Sequence, residues 1–446
     1  MTLLGTDWCL LSVLSVSAIL IVISVQKEHT RVSWKRLLAK PIAVSAGIVF
    51  LCFLAVGILD SIHLNWSYPE NSGEVQIRNQ TILEHILYPL GTVYEKTYSA
   101  PFALKAFNQE IIIKQGKLVQ GYPALKYSSA RFKNKQERNQ FIEMTVLKAV
   151  GVAVLLTGLI ILLLRLIFSL GVGRVREGTR QAQRFSILTV FLCVFVIIAS
   201  YCLSRHLHIL GTGKIGQDIF YYTIKSIRTG LVIGILTTLF MLPFALIFGV
   251  CAGYFGGLID DVIQYLYTTL SSIPGVLLIT ASVLSMQTYI ANHPLQFPTL
   301  AQSADARLMA LCLILGVTSW TSLCRILRAE ALKWREIDFV QAAKVLGSSS
   351  LTILCKHLLP NMIPIIIITL VLDFSFLVLA EAVLSYVGVG VSPLTISWGN
   401  MINGARLELA RDPIIWWPMG AAFLLMFILV LTSNLLVDAL RDAFEP

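Results

Sequence analysis

Long apolar runs alternate with short polar segments through most of this chain. Nine runs of 18 to 25 residues stand out, near 8–25, 42–60, 147–169, 187–204, 229–252, 262–285, 307–324, 362–386 and 416–438. A helix needs about 20 apolar residues to cross the hydrocarbon core of a bilayer, so the pattern predicts nine membrane spans. The 262–285 run is interrupted by Ser271-Ser272-Ile273-Pro274-Gly275. A break at membrane depth is tolerated only where neighbouring helices or water re-satisfy the backbone, so this stretch is expected to face a pore or a partner. The first run is not read as a secretory signal. Only Asp7 precedes it, and Lys27-Glu28-His29 follows where a small-residue cleavage site would stand.

Composition agrees. Of 446 residues, 56% are hydrophobic and only 13% charged, where a soluble protein carries about 25%. The net charge of +10 does not imply nucleic acid, because Lys and Arg collect on the cytoplasmic loops of membrane proteins. Lys27, Arg31, Lys35, Arg36 and Lys40 lie between the first two runs. Arg174, Arg176, Arg180 and Arg184 lie between the third and fourth. Arg325, Arg328, Lys333, Arg335, Lys344 and Lys356 lie between the seventh and eighth. With nine spans, all three groups share one side, which is then cytoplasmic, with the N-terminus outside. The 205–228 loop pulls the other way, because Arg205, Lys214, Lys225 and Arg228 fall on the predicted outer side. The eight Cys are scattered, without C-x-x-C pairs or Cys/His clusters, and read as small core residues.

Four segments are expected. Residues 1–60 hold two transmembrane helices, and 61–146 an extracytoplasmic domain. Residues 147–185 hold a further transmembrane helix and a cytoplasmic loop, and 186–446 the six remaining spans. Residues 61–146 carry Trp66, Tyr68, Tyr88, Tyr94, Tyr98, Phe102 and Phe107, an aromatic content that predicts order rather than a loose linker.

The polar stretch DFVQAAKVLGSSSLTILCKHLLPN, 338–361, has helical composition and sits between two apolar runs. Gln341-Ala342-Ala343, Gly347 and Leu359-Pro360 follow at spacings of six and twelve residues. Gly347 is expected to end a short helix because glycine takes positive φ cheaply. Leu359-Pro360 is expected to open the next span, since Pro is tolerated in a first turn. Phe339, Ala343 and Leu346 fall at i, i+4 and i+7 on one face, suited to a groove on another protein.

This segment resembles the EAA coupling loop of ABC importer permeases. Four further segments resemble one branch of that family. His208-Ile209-Leu210-Gly211-Thr212-Gly213-Lys214-Ile215-Gly216-Gln217-Asp218 is similar to its H-x-L-G-T-D-x-x-G-R-D signature. Gly253-Tyr254-Phe255-Gly256-Gly257, then Asp260, matches its tight turn. Ala380 to Gly390 with Ser397-Trp398-Gly399-Asn400-Met401, and finally Leu440 to Pro446, match its later signatures. Together they resemble the C-type permease subunit of the peptide/nickel family of bacterial ABC importers, over about 186–446. The resemblance implies an all-α polytopic inner-membrane protein with a six-helix permease core, here preceded by an extension of about three helices and an extracytoplasmic domain. It implies a lipid bilayer, a homologous B-type permease, two ABC ATPase subunits and an extracytoplasmic solute-binding protein as partners, with peptides, or in second place nickel or another small ligand, as cargo and no cofactor or nucleic acid. It implies that Asp338, Phe339, Gln341, Ala342, Ala343, Leu346, Gly347, His357 and Pro360 couple to the ATPases. Gly211, Thr212, Gly216, Asp218, Gly256, Gly257 and Asp260 are motif residues of structural value, with Asp260 expected to cap a helix. Gln341 replaces the Glu of the EAA name, which this family often allows, and two further departures are visible: Gly213 replaces the family's Asp and Gln217 its Arg. Their joint change suggests that a lost ion pair is replaced by something else.

Asp373 and Glu381 lie inside an apolar run. Carboxylates there are costly and usually face a bundle interior or water, so both are pathway candidates, Asp373 the deeper. Gly211-Thr212-Gly213-Lys214 is not a phosphate loop, because His208 stands where its first Gly belongs and Ile215 follows the Lys. ATP hydrolysis therefore belongs to another polypeptide, and no spacing suggests an enzyme. The alternative is a non-transporting scaffold or sensor whose working part is 61–146.

Overall fold

A computed structural model describes residues 4–26, 28–69, 75–114, 117–129, 131–132, 134–169 and 179–444. Lys27, Arg174, Arg176, Glu445 and Pro446, singled out above, lie outside the described residues. The chain begins with α1 (Gly5–Gln26), α2 (Glu28–Ala39) and α3 (Pro41–Ser61). A polar stretch follows with hairpin β1 (His63–Pro69) and β2 (Val75–Thr81), then short helices α4 (Ile82–Ile86) and α5 (Tyr88–Thr92). Next come hairpin β3 (Glu110–Lys114) and β4 (Lys117–Gly121), and α6 (Lys126–Ser129). The long helices are α7 (Lys135–Ser169), α8 (Thr179–Ser204), α9 (Ile219–Phe255), α10 (Gly257–Ser272), α11 (Gly275–Asn292) and α12 (Leu300–Arg335). Then come α13 (Asp338–Val345), α14 (Ser350–Ile353), α15 (Leu359–Val387), α16 (Trp398–Ala405) and α17 (Trp417–Phe444).

Among the described residues, eight helices are long and apolar enough to span a membrane: α3, α7, α8, α9, α11, α12, the run α14–α15, and α17. Gly5–Ile19 of α1 is a shorter apolar stretch. The span expected at 262–285 is corrected. Pro274 has no N–H and breaks the helix at Ile273, so α10 is a 16-residue amphipathic helix and the apolar candidate is α11. Other expected boundaries move as well. Helix α7 starts at Lys135 rather than 147. Arg325, Arg328, Lys333 and Arg335 end α12 rather than forming a loop. The 205–228 loop closes at 218, because Asp218 Oδ1 accepts from Tyr221 N and caps α9.

Two compact units can be distinguished, and neither is a continuous stretch. One comprises Glu28–Thr229 and Ile396–Ala439, the other Leu4–Lys27, Gly230–Thr395 and Leu440–Pro446.

In the first unit α8 packs on both α3 and α7, and Thr189 Oγ1 donates to Ser45 Oγ at 2.9 Å between α8 and α3. The hairpins pair antiparallel in register, His63 with Thr81 and Glu110 with Gly121. A capping box joins β2 to α4, with Thr81 Oγ1 accepting from Glu84 N and Glu84 from Thr81 N. The same Thr81 hydroxyl donates to buried Asp60 at the end of α3, which ties the polar segment to its membrane anchor.

In the second unit α12 is the central packing element. Gly249 and Gly253 sit one turn apart on α9, and a Cβ at either would come within 3 Å of Cys324, Leu327, Ala331 or Arg328 of α12. Small residues let these backbones approach, as is usual between membrane helices. The core they share with α13, α14 and α15 holds Met241, Leu323, Leu327, Val340, Ile353 and Met362. Helix α1 joins this unit through Leu10, which is buried, and through Thr6, which donates to Asp305.

Candidate functional site

Helix α13 is short because of its C-terminus. Gly347 has φ +83°. Its N–H donates to Lys344 O and the Ser348 N–H to Ala343 O, both at 3.1 Å, a complete Schellman cap. No side chain crowds Gly347, so the need for glycine there lies in the backbone torsion alone. Gln341, in the position the family names for Glu, donates to Arg335 O at 2.9 Å and ties α13 to the end of α12. Val340 is buried beneath the helix and Ala343 packs on the same core.

The face expected from Phe339, Ala343 and Leu346 is therefore corrected. Ala343 points inward, and the exposed stripe is Phe339, Ala342, Val345 and Leu346, with Val345 86% and Leu346 84% exposed. A helix of eight residues has room for one anchoring face, and Val340 and Ala343 occupy it. Phe339 leans its ring toward His357 at 6.1 Å and Trp334 at 6.3 Å. Asp338 and Pro360 are exposed as well.

Leu359-Pro360 opens α15, as expected, but a helical run from Ser350 leads into it. Ser349 Oγ caps that run by accepting from Thr352 N. The chain then passes through one π-type turn at Leu354–Leu358 before α15. Pro360 has no N–H to give back to the preceding turn, and the wider turn carries the helix past it.

Asp260 does not cap α10. Gly256 occupies that position at φ +66°, followed by Gly257 at φ +54°. Asp260 instead takes both forks of Arg328 on α12, at 2.5 and 2.6 Å, and accepts from Gln264. The hydrogen bond from Arg328 holds its carboxyl below the ordinary range.

The signature at 208–218 has its reason in the first unit. His208, wholly buried, places Nδ1 2.6 Å from Asp218 Oδ2 and Nε2 3.6 Å from Glu95 Oε1. Glu95 accepts the amides of Lys126 and Tyr127, and its own N–H donates to Gly216 O. Thr212 N donates to Ser99 O and its hydroxyl to Thr97 O, while Trp417 Nε1 donates to Thr212 O. Gly211 at φ +72° and Gly216 at φ +76° face the carbonyls of Ser99 and Glu95 so closely that no Cβ fits. The changed pair, Gly213 and Gln217, meets here too. The Gln217 amide fills the space a Cβ at 213 would need, and its Oε1 accepts from Ile215 N.

These hydrogen bonds bring Glu95, Thr97, Ser99, Lys126 and Tyr127 against the 208–218 loop. Separate carboxylates meet most of the unexpected positive charge of 205–228. Lys225, now on α9, pairs with Glu84, and Arg228 acts on Asp60. Lys214 acts on Glu408. The partners of the motif, Glu95, Thr97 and Ser99, were not legible as site residues; the only signal near them was the aromatic content of 61–146.

The two intramembrane carboxylates differ. Glu381 is buried and accepts from Ser385 Oγ at 2.7 Å. Asp373 Oδ2 is sealed from solvent and accepts no hydrogen bond among the described residues.

The sequence pattern of a family described as "Binding-protein-dependent transport system inner membrane component" matches residues 245–446. The dipeptide transport system permease protein DppC of Lactococcus lactis is 30% identical over 239 residues, 54% of this chain and 64% of that protein. The oligopeptide transport system permease protein OppC of Mycobacterium tuberculosis is also 30% identical over 239 residues, covering 76% of that protein. The glutathione transport system permease protein GsiD of Pectobacterium atrosepticum is 29% identical over 241 residues, 72% of its length.

Proposed function

Since the chain belongs to the inner membrane components of binding-protein-dependent transport systems, we propose that it is the C-type permease subunit of a peptide importer. Relatives named for dipeptide, oligopeptide and glutathione transport support that cargo class. The chain itself is a multi-pass protein of the bacterial inner membrane. Two ATPases, a homologous B-type permease and an extracytoplasmic binding protein complete the importer. The observation that carries the reading is the exposed apolar stripe of α13, held by Val340, Gln341 and the Gly347 cap. An amphipathic helix with one face anchored offers the other to a groove. Closure of the ATPases on ATP moves α13, and the anchored helices α12 and α15 follow. Asp373, without a hydrogen-bond partner for Oδ2, faces the translocation pathway, whereas Glu381 serves the packing of α15.

Purification of the tagged full-length chain from its native membranes tests the reading. The wild-type protein should bring down ATP-hydrolysing subunits, and Leu346→Glu should lose them while still inserting. Retention of the ATPases by that variant, or their absence from the wild type, overturns it; the latter outcome favours the scaffold reading.

A further inference from the structure

Three arginines lie at one membrane boundary of the first unit, and two of them, Arg131 and Arg205, act on the same imidazole, His206. Arg131 lies four residues before α7, Arg138 in its first turn, and Arg205 directly after α8. Helices α7 and α8 are packed neighbours. Each guanidinium is held by neutral groups. Arg131 Nη1 donates to His206 Nε2 at 2.6 Å and lies over the Phe141 ring at 5.0 Å. Arg138 donates to Phe102 O at 2.8 Å and to Asn139. Arg205 donates to Tyr201 Oη at 2.5 Å and lies over the same ring.

Burial, and then the charges of Arg131 and Arg205, push the His206 imidazole below its ordinary range. The imidazole is therefore a neutral acceptor, and among the described residues no carboxylate forms an ion pair with these arginines.

The surroundings identify what would pair with them. Below the cluster, toward the membrane interior, Met144 and Leu147 of α7 and Val196 and Ile197 of α8 are exposed. Leu147 is nine residues on from Arg138, about 13 Å along the helix. Phe132, Phe141, Tyr127 and Tyr201 surround the arginines, as aromatic residues do at the headgroup level. Guanidinium groups above and lipid-facing aliphatic side chains below match the two ends of an acidic phospholipid.

We propose that Arg131, Arg138, Arg205 and His206 form a binding site for the phosphate headgroup of an anionic phospholipid, in the leaflet on the side of the 61–146 segment. Arg131 and Arg205 supply the phosphate contacts, and Arg138 anchors the loop at 102. Inorganic phosphate has the same charge chemistry but lacks the acyl chains that the exposed faces of α7 and α8 would receive.

Native mass spectrometry of the full-length chain in mixed micelles tests the site, with phosphatidylglycerol or phosphatidylcholine supplied at equal mole fraction. Phosphatidylglycerol should be retained about tenfold better than phosphatidylcholine, and 10 mM inorganic phosphate should not displace it. R131Q/R205Q should lose the preference, and R131K/R205K, which keeps the charge, should retain most of it. Equal retention of the two lipids, an unchanged preference in R131Q/R205Q, or displacement by inorganic phosphate would each overturn the proposal. Loss in both double variants alike would overturn it too, since it would point to a packing effect rather than to charge.

Discussion

His208 and Asp218, ten residues apart in a loop between two membrane helices, meet as a fully buried pair at 2.6 Å. Glu95, more than a hundred residues earlier, closes the other side of the ring at 3.6 Å. Burial alone would lower the His208 pKa from its ordinary 6.5, but the hydrogen bond to Asp218 and the charges of both carboxylates outweigh it and push the value up to about 9. Burial works against the Glu95 charge as well. The contact with His208 and the amides of Tyr127 and Lys126 nevertheless hold it below its ordinary 4.5.

The pH dependence follows from these directions. A histidine raised in the fold contributes stability that is complete below 6.5 and is lost as pH rises through about 9. Glu95, lowered in the fold, contributes above 4.5 and loses its contribution as pH falls through its folded value. Protection factors of the 95–107 and 208–218 amides, which remove the base-catalysed rise in intrinsic exchange, should therefore be high at pH 6 to 7 and fall above about 9. His208→Gln should abolish the alkaline step. An alkaline step that persists in this variant would place the titrating group elsewhere.

Gly216 and Gly47 make a matched pair. Gly216→Ala meets the Glu95 carbonyl at φ +76° and should destabilise by more than the roughly 1–3 kcal/mol that left-handed torsion alone costs. Gly47→Ala, in open space on α3, should be neutral or stabilising by up to about 1 kcal/mol. Thermal unfolding of the two variants in detergent compares them; similar midpoints would refute the contact.

Gly347→Val forces a β-branched residue to φ +83°, costing about 1–3 kcal/mol locally. Membrane insertion should persist, and peptide-stimulated ATP hydrolysis by the assembled importer should fall at least tenfold. Unimpaired hydrolysis would mean that the end of α13 does not transmit the stroke.

Asp373 should trade stability for transport. Asp373→Leu removes a buried oxygen without a partner and should raise stability by about 1–3 kcal/mol while lowering peptide uptake. A variant both less stable and fully active would assign the carboxylate a packing role instead.

Single cysteines at Lys96 and Ile215, both exposed, should react together with an impermeant thiol reagent applied from the outer face of a Cys-free protein. Reaction of one without the other would break the shared side that the Thr212–Ser99 and Glu95–Gly216 hydrogen bonds require.

Much of this protein is written locally. Apolar run length marked most spans, because crossing a bilayer is a requirement on consecutive residues. The turn at Gly256-Gly257 and the stop at Gly347 were legible because positive φ selects glycine wherever it occurs. The split at Pro274 was visible as a break but not as a shift of the span to 275–292, since that depended on which side of the break could bury its polar face. Asp260 looked like a cap from its place in a first turn; only the approach of α12 made it the partner of Arg328. Ala343 looked exposed by its period and is not, because Val340 set which way α13 turned.

What the chain determined by itself is therefore its class, most of its spans and its conformational punctuation, all consequences of nearest neighbours in sequence. What only the tertiary structure decided is who meets whom. The polar 61–146 segment supplies Glu95 and Ser99 to a loop that begins beyond residue 204. Pairings of that kind depend on how helices pack, and packing is a property of distant surfaces that no local pattern carries.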